Sequence, residues 1–79
     1  MIQKNKKYLI TGGTGFLGEL LVSKWLDQGC NIRVMSRNEG KLINLKEKYP
    51  NIEIYAGDIS DQFEVAQACD GISGVFHLA

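Results

Sequence analysis

Apolar positions along the chain form short runs that alternate with longer segments of helical spacing. Three segments carry apolar residues at helical intervals and are bounded by glycine, proline or aspartate. The predicted strands are about Lys7–Thr11, Asn31–Met35, Ile52–Ala56 and Gly74–Ala79, and the predicted helices are about Gly15–Gln28, Lys41–Tyr49 and Asp61–Cys69. The pattern therefore predicts the order β-α-β-α-β-α-β.

The helical segments also predict which side chains face the core. In the first helix, Leu17, Leu21 and Trp25 form one stripe with Leu20 nearby. At this spacing Trp25 is expected to pack in the core rather than to bind a ligand.

The other two helices carry similar signals. In the second helix, the inward residues are expected to be Leu42, Leu45 and Tyr49, and Pro50 ends the helix. Asp61 and Glu64 have the three-residue spacing of a pair that starts a helix.

A glycine-rich segment, Thr11–Gly18, joins the first strand to the first helix. Its glycines fit G-x-x-G-x-x-G through Gly12, Gly15 and Gly18, and G-x-G-x-x-G when Gly13 replaces Gly12. Both spacings are typical of a loop that holds a dinucleotide pyrophosphate. Glycine tolerates the sharp turn and the close phosphate, and the N–H groups of the first helical turn point at the anion. The candidate contacts are Gly12, Thr14, Gly15, Phe16, Leu17 and Gly18, and the Thr11 hydroxyl is a further candidate for the phosphate or for capping.

Two alternatives apply to this loop. A mononucleotide phosphate loop needs Lys and Ser or Thr after its last glycine, but Glu19 and Leu20 follow Gly18, which argues against that class. The other alternative is a glycine-rich turn that binds nothing.

Alternating strands and helices with short connections imply an α/β fold with a parallel sheet and right-handed crossovers. In a Rossmann-like arrangement the strand order would be 3-2-1-4. Residues 1–79 would then form one unit, the N-terminal half of a dinucleotide-binding domain.

Composition narrows the functional classes. The 79 residues include nine basic and nine acidic side chains, a balance that argues against nucleic-acid or membrane-surface binding driven by bulk charge. No apolar run approaches a membrane span, and the N-terminus resembles no signal peptide, so a cytoplasmic location is expected. Cys30 and Cys69 are far apart and are expected to be reduced thiols, with no metal ligand set.

Three motifs resemble the extended short-chain dehydrogenase/reductase superfamily, which includes NAD(P)-dependent epimerases and dehydratases. They are Thr11–Gly18, Gly57–Asp61 and Val75–Ala79. Their order and spacing agree with that family over nearly all of the chain. Within the family, Ser36–Glu39 and the closing Val-Phe-His resemble nucleotide-sugar 4,6-dehydratases and epimerases.

The resemblance implies roles for several positions. Asp58 and Ile59 would lie beside the adenine, and the backbone of Leu78 and Ala79 would lie under the cofactor. The alternative for Asp58 is a helix or turn cap. His77 is expected to be a packed, hydrogen-bonded imidazole in mid-strand rather than a catalytic base, because no partner residue is visible.

The end of the second strand bears on the choice of cofactor. An NAD enzyme of this fold usually has Asp or Glu there to bind the ribose hydroxyls, whereas this chain has Ser36 and Arg37. A guanidinium can pair with a 2′-phosphate and stack on adenine. NADP is therefore the expected cofactor, and the alternative is an exposed arginine that binds no ligand.

The family's catalytic Tyr-x-x-x-Lys pair is absent from these residues. Four positions after Tyr8, Tyr49 and Tyr55 stand glycine, glutamate and isoleucine, so this chain alone is not expected to transfer a hydride. The last strand, Val75–Ala79, would form an apolar sheet edge, which predicts a homodimer or higher oligomer.

Three interpretations stay open from the sequence. The chain is the cofactor-binding part of an NADP-dependent sugar-nucleotide epimerase or dehydratase, a non-catalytic module that binds a dinucleotide, or a self-assembling protein without a ligand. The complete set of glycines disfavours the third.

Overall fold

The computed structural model describes residues 2–12 and 14–78, and all seven expected elements are present. Bounds differ from the expected ones by one or two residues: β2 includes Ser36, β3 begins after Ile52, β4 ends at His77, and α2 begins two residues early. The elements are β1 Lys7–Thr11, α1 Phe16–Asp27, β2 Asn31–Ser36, α2 Glu39–Lys48, β3 Glu53–Ala56, α3 Gln62–Ala68 and β4 Gly74–His77.

The four strands form one parallel sheet in the order β3-β2-β1-β4. Leu9 of β1 pairs with Arg33 of β2 on one side and with Val75 of β4 on the other. The chain moves outward from β1 to β3 and then crosses back to β4, which places the ends of β1, β2 and β4 side by side. The predicted α/β class and the predicted strand order are both confirmed.

The two faces of the sheet bury unequal amounts of apolar surface. The larger cluster lies between the sheet, α1 and α2, and the smaller one under α3 contains the buried residues Leu9, Met35 and Ala68. The larger cluster includes an aromatic group in which the Trp25 and Phe76 ring centroids lie 4.5 Å apart. Trp25 is therefore a core residue, as expected. The buried members of the larger cluster are Tyr8, Ile10, Val22, Trp25, Cys30, Ile32, Val34, Leu42, Leu45 and Ile52.

Helix α1 packs with a different face from the one predicted. Leu17 and Leu20 are 58% and 52% exposed, whereas Gly18 and Val22 are buried together with Trp25. The predicted stripe through Leu17 is therefore wrong at its N-terminal end. Gly18, the smallest residue of the helix, is buried, and a residue without a Cβ lets a helix pack closely on its neighbours.

Side-chain caps start the other two helices. The Asn38 side chain accepts a hydrogen bond from the Lys41 N–H at 3.0 Å, and Asp61 accepts from the Phe63 N–H at 2.9 Å. The predicted start at Asp61 is confirmed, but Glu64 does not return to the cap residue. Its carboxylate accepts from the N–H of Asp58, at 3.2 Å. In α2, Leu42 and Leu45 are buried and Tyr49 packs against them, as predicted.

A charged cluster ties three strands and α3 together. Glu53 of β3 accepts from Lys7 of β1 at 2.6 Å and from Arg33 of β2 at 2.8 Å. The Arg33 guanidinium also donates to the carbonyl oxygens of Ala68 and Asp70, where α3 ends. Hydrogen bonds from Lys7 and Arg33 lower the pKa of the Glu53 carboxyl below its usual value of 4.5. The cluster thus links β1, β2, β3 and the end of α3 through polar contacts outside the apolar core.

Candidate nucleotide-binding site

The carboxyl ends of three strands meet at one edge of the sheet. The segments that follow β1, β2 and β3 border a common groove of about 400 Å³. Five of the predicted site residues, Gly12, Ser36, Arg37, Asp58 and Ile59, line it together although 47 positions separate the first from the last. In open parallel sheets, ligands bind at this edge, where the chain reverses its direction across the sheet. The remaining lining residues are Met35, Gly57 and Ser60.

Gly12 makes the turn out of β1 and touches the neighbouring strand end. Its φ is +73°, in the left-handed region that glycine favours. Its N–H donates to the Met35 carbonyl at 3.2 Å, and a Cβ here would overlap the carbonyl oxygen of Leu78. Gly12 therefore serves the backbone packing at the head of the groove.

Gly15 has the opposite surroundings. It is the N-cap of α1 with φ −83°, and a Cβ added there would meet nothing within 4 Å among the described residues. No described side chain caps the N-terminus of α1. The first-turn N–H groups of a helix carry a partial positive charge and bind anions. The open space at Gly15 thus lies where a phosphate would meet these donors.

The other residues of the glycine loop fall in different places. Phe16 is 83% exposed and, with Leu17, forms the first turn of α1, while Gly18 is buried beneath it. Thr14 lines a separate cleft between α1 and α2, together with Lys41 and Lys48. The structure therefore does not bring the Thr14 side chain to the groove that contains Arg37.

The Thr11 side chain, a candidate for phosphate binding or helix capping, is bonded to the neighbouring strand. Its side chain is buried and its hydroxyl is hydrogen-bonded to Nδ1 of His77 on β4. The hydroxyl is therefore bonded within the sheet and does not cap α1. His77 is hydrogen-bonded as expected, but it is the last residue of β4 and is exposed, whereas a packed position in mid-strand was predicted.

Arg37 and Asp58 face each other across the groove. The guanidinium lies 3.9 Å from one carboxylate oxygen, and the Arg37 side chain is 77% exposed. The other oxygen of Asp58 accepts from the N–H and the hydroxyl of Ser60, at 2.9 and 2.7 Å. These bonds to Ser60, with a smaller contribution from the Arg37 charge, lower the pKa of the Asp58 carboxyl. Asp58 therefore performs the turn-capping role that was the alternative to adenine contact.

Ser36 is also engaged locally, because its hydroxyl accepts from the N–H of Asn38 at 3.0 Å. Leu78 follows β4 and donates its N–H to the Thr11 carbonyl at 2.9 Å, which sets its backbone against the glycine loop. The predicted contact at Ala79 lies outside the described residues, as does Gly13.

Residues 2–12 and 14–78 contain neither a cluster of metal ligands nor a membrane-spanning helix. No group of three or more His, Cys, Asp or Glu side chains in this range is placed to hold a metal ion. Within the same range, no helix has the length and apolar character needed to cross a bilayer.

Comparison with protein families assigns this arrangement. The model of the NAD dependent epimerase/dehydratase family matches residues 8–79, nearly the whole chain. The chain belongs to this family. The matched range includes the glycine loop, the segments after β2 and β3 that line the groove, and β4. The groove therefore lies in the Rossmann-like region that the family shares.

Individual relatives cover several chemistries. A 3β-hydroxysteroid dehydrogenase/Δ5→4-isomerase of Mycobacterium tuberculosis is 40% identical over 73 residues, which is 92% of this chain and 19% of that protein. A UDP-glucose 4-epimerase of Rickettsia rickettsii is 33% identical over 82 aligned residues, 95% of this chain and 24% of that protein. The chain thus spans about a fifth of the length of the curated relatives it matches.

A solved structure shows the same fold. AtPrR2, determined with NADP+ and (+)pinoresinol, superposes with a TM-score of 0.80 over 99% of this chain and 27% of that protein. At 23% identity, this likeness concerns the fold.

Three contacts of the site escaped the sequence analysis: Arg37 with Asp58, Glu64 with Asp58, and Thr11 with His77. Two of them join residues that follow or end neighbouring strands. The strand order 3-2-1-4 would have placed these partners side by side, so the signal was present once the order was predicted. The Glu64 contact carries no such signal, because its spacing also fits an ordinary capping pair.

Proposed function

We propose that this chain binds a dinucleotide, with the pyrophosphate at the N-terminus of α1 and the adenosine half in the groove between Arg37 and Asp58. The observation that carries the proposal is the open space at Gly15, next to first-turn amides that no described side chain caps. A phosphate there gains hydrogen bonds and the helix dipole without displacing any described side chain. Membership of the NAD dependent epimerase/dehydratase family supports the same ligand.

We further propose that NADP is preferred over NAD. Arg37 follows β2, where its exposed guanidinium is free to pair with a 2′-phosphate by charge-assisted hydrogen bonds. Ser36 adds a hydroxyl in place of the carboxylate that would favour an unphosphorylated ribose. Asp58 opposes this preference with its negative charge, but its ion pair with Arg37 is long and one of its oxygens is occupied by Ser60.

Calorimetric titration with NADP+ and, separately, NAD+ tests both parts. We expect tighter binding of NADP+, and Arg37→Ala should remove most of that difference while leaving NAD+ affinity within about twofold, since a hydrogen bond to a charged group contributes on the order of 1.5–3 kcal/mol. Lys24→Ala, which removes one exposed positive charge from the last turn of α1, is the matched control.

The outcomes separate the two parts of the proposal. Equal binding of both dinucleotides would keep the site and contradict the role of Arg37. No heat and no thermal stabilisation by either dinucleotide at millimolar concentration would contradict the site itself, and would favour a self-assembling chain without a ligand.

The proposed role of residues 1–79 is cofactor binding, as the N-terminal half of a dinucleotide-binding domain. Because no tyrosine here has lysine four positions later, residues for acid–base chemistry at the substrate are not among those proposed. The names of the relatives indicate steroid and nucleotide-sugar substrates. For an enzyme that contains this chain, we propose nucleotide sugars as the substrate class.

Location and assembly are further parts of the proposal. A cytoplasmic location is supported by Cys30 and Cys69, which are free thiols, as is usual in a reducing compartment. Self-association through β4 is supported by Val75, an apolar side chain that is 51% exposed on a strand paired with β1.

A further inference from the structure

A hydrogen-bonded pair joins the ends of β1 and β4 beside the glycine loop. Thr11 and His77 are direct partners in the parallel register, and the Thr11 hydroxyl bonds to Nδ1 of the imidazole. Thr11 is 4% exposed, and it is the buried polar residue of the described chain. A buried hydroxyl is costly to leave without a partner, so His77 satisfies a group that the sheet cannot.

The pair lies beside the start of the glycine loop, where the loop meets the backbone after β4. Thr11 ends β1 and leads into the loop, while Leu78 follows His77 directly. The Leu78 N–H donates to the Thr11 carbonyl at 2.9 Å, and Gly12 fits against the Leu78 carbonyl with no room for a Cβ. One side-chain bond and two backbone contacts therefore hold the start of the loop at a fixed distance from the backbone after β4.

We propose that His77 is a positioning residue for dinucleotide binding: its bond to Thr11 sets the spacing between the glycine loop and Leu78. This inference rests on the proposed function, because it concerns the same site. His77 is itself exposed and buries little apolar surface, so its ring adds little to the core. Removing the imidazole leaves the buried Thr11 hydroxyl without a partner and so lowers stability. The positioning role requires that ligand affinity fall as well, including in Thr11→Val, where no unpaired hydroxyl remains.

Paired substitutions at the two positions test this role. Thr11→Val keeps the shape and removes the hydroxyl, and His77→Leu removes the ring nitrogens. Each should weaken dinucleotide binding about fivefold, the effect of losing one ordinary hydrogen bond. The double variant should lose no more affinity than the single variant that binds more weakly, because both changes break the same contact.

Conservative variants provide the rescue. Thr11→Ser keeps the hydroxyl, and His77→Asn places a polar atom close to the position of Nδ1, so both should bind within about twofold of the parent chain. Ser23→Ala, which removes a hydroxyl from the middle of α1, is the control and should not change the affinity. A readout without ligand is amide hydrogen exchange, which should become faster at Gly12 and Leu78 in Thr11→Val and stay slow in Thr11→Ser.

The outcomes are distinct from those of the proposed function. If the parent chain binds and Thr11→Val and His77→Leu bind equally well, or if their losses add in the double variant, the positioning role is wrong while the site stands. If their thermal unfolding midpoints fall but their affinities do not, the pair is only structural. If the parent chain binds neither NADP+ nor NAD+, both proposals are wrong.

Discussion

Two glycines of one loop have different physical roles at the scale of single residues. Gly12 has a positive φ and no space for a Cβ, whereas Gly15 has a negative φ and open space in front of it. Sequence spacing treats the two alike, because both fit the same fingerprint. The structure assigns Gly12 to the fold and leaves Gly15 available for a ligand.

Alanine substitutions should separate these roles. Gly12→Ala forces a strained φ and an overlap with Leu78, and should lower the free energy of unfolding by about 2–4 kcal/mol. Gly15→Ala should lower it by only about 0.5–1 kcal/mol, because alanine is a poorer N-cap than glycine, yet weaken dinucleotide binding at least tenfold by filling the phosphate position. Urea unfolding and calorimetry measure the two effects, and a stable Gly12→Ala variant would contradict the packing argument.

At the scale of elements, polar contacts hold what the small core leaves loosely attached. The Glu53 cluster spans three strands, and Arg33 extends it to the end of α3. Because the pKa of Glu53 is lowered by folding, its contribution to stability is present above the usual value of 4.5 and is lost as the pH falls through the lowered one.

Glu53→Gln should therefore reduce the dependence of stability on acid pH. At pH 7 the variant should lose about 0.5–1 kcal/mol, a modest value because the carboxylate is half exposed and screened. As the pH falls below 4.5, the difference in unfolding free energy between parent and variant should shrink in urea unfolding. Glu47→Gln on the exposed face of α2 is the control, and a constant gap between Glu53→Gln and the parent from pH 3 to 7 would contradict the assignment.

The number, kind and order of elements could be predicted, because glycines, Pro50 and Asp61 mark boundaries that depend on local conformation. The face of α1 could not. Apolar residues lie almost all round this helix, so periodicity does not decide between Leu17 and Val22. What decides is tertiary packing, which buries Gly18, Val22 and Trp25.

At the scale of the whole molecule, the proposed self-association concerns the side of the sheet at β4. Exposed, unpaired strand edges favour pairing with another chain. Val75 lies on this edge, whereas the opposite edge strand β3 is bonded into the Glu53 cluster. The exposed apolar side chain of Val75 is the reason that we propose β4 for association.

Val75→Lys should prevent self-association through this edge. We expect the parent chain to sediment as a dimer or higher oligomer at tens of micromolar and the variant as a monomer, because a lysine on an edge strand opposes pairing. Ile43→Lys, at a similarly exposed apolar position on α2, should leave the assembly unchanged. A parent chain that is monomeric throughout the concentration range would contradict the prediction.

The proposed site was partly predictable at this scale. The glycine spacing predicts the loop, the position after the second strand predicts Ser36 and Arg37, and the family resemblance implies Asp58. The strand order also brings Arg37 near Asp58 and Thr11 near His77, but whether their side chains meet depends on side-chain directions at the strand ends.

The unequal faces of the sheet have a consequence for motion. In the described part of the chain, the cluster on the α3 side contains three fully buried residues, one of which is Ala68 of α3 itself, so detachment of α3 exposes less apolar surface than that of α1 or α2. It should be the first unit to open in the native ensemble, with the least protected amides of the three helices. Glu64 of α3 is bonded to the N–H of Asp58, so each such opening also releases one wall of the groove. Occupancy of the groove and closure of α3 would then be linked, and a bound nucleotide would slow this excursion.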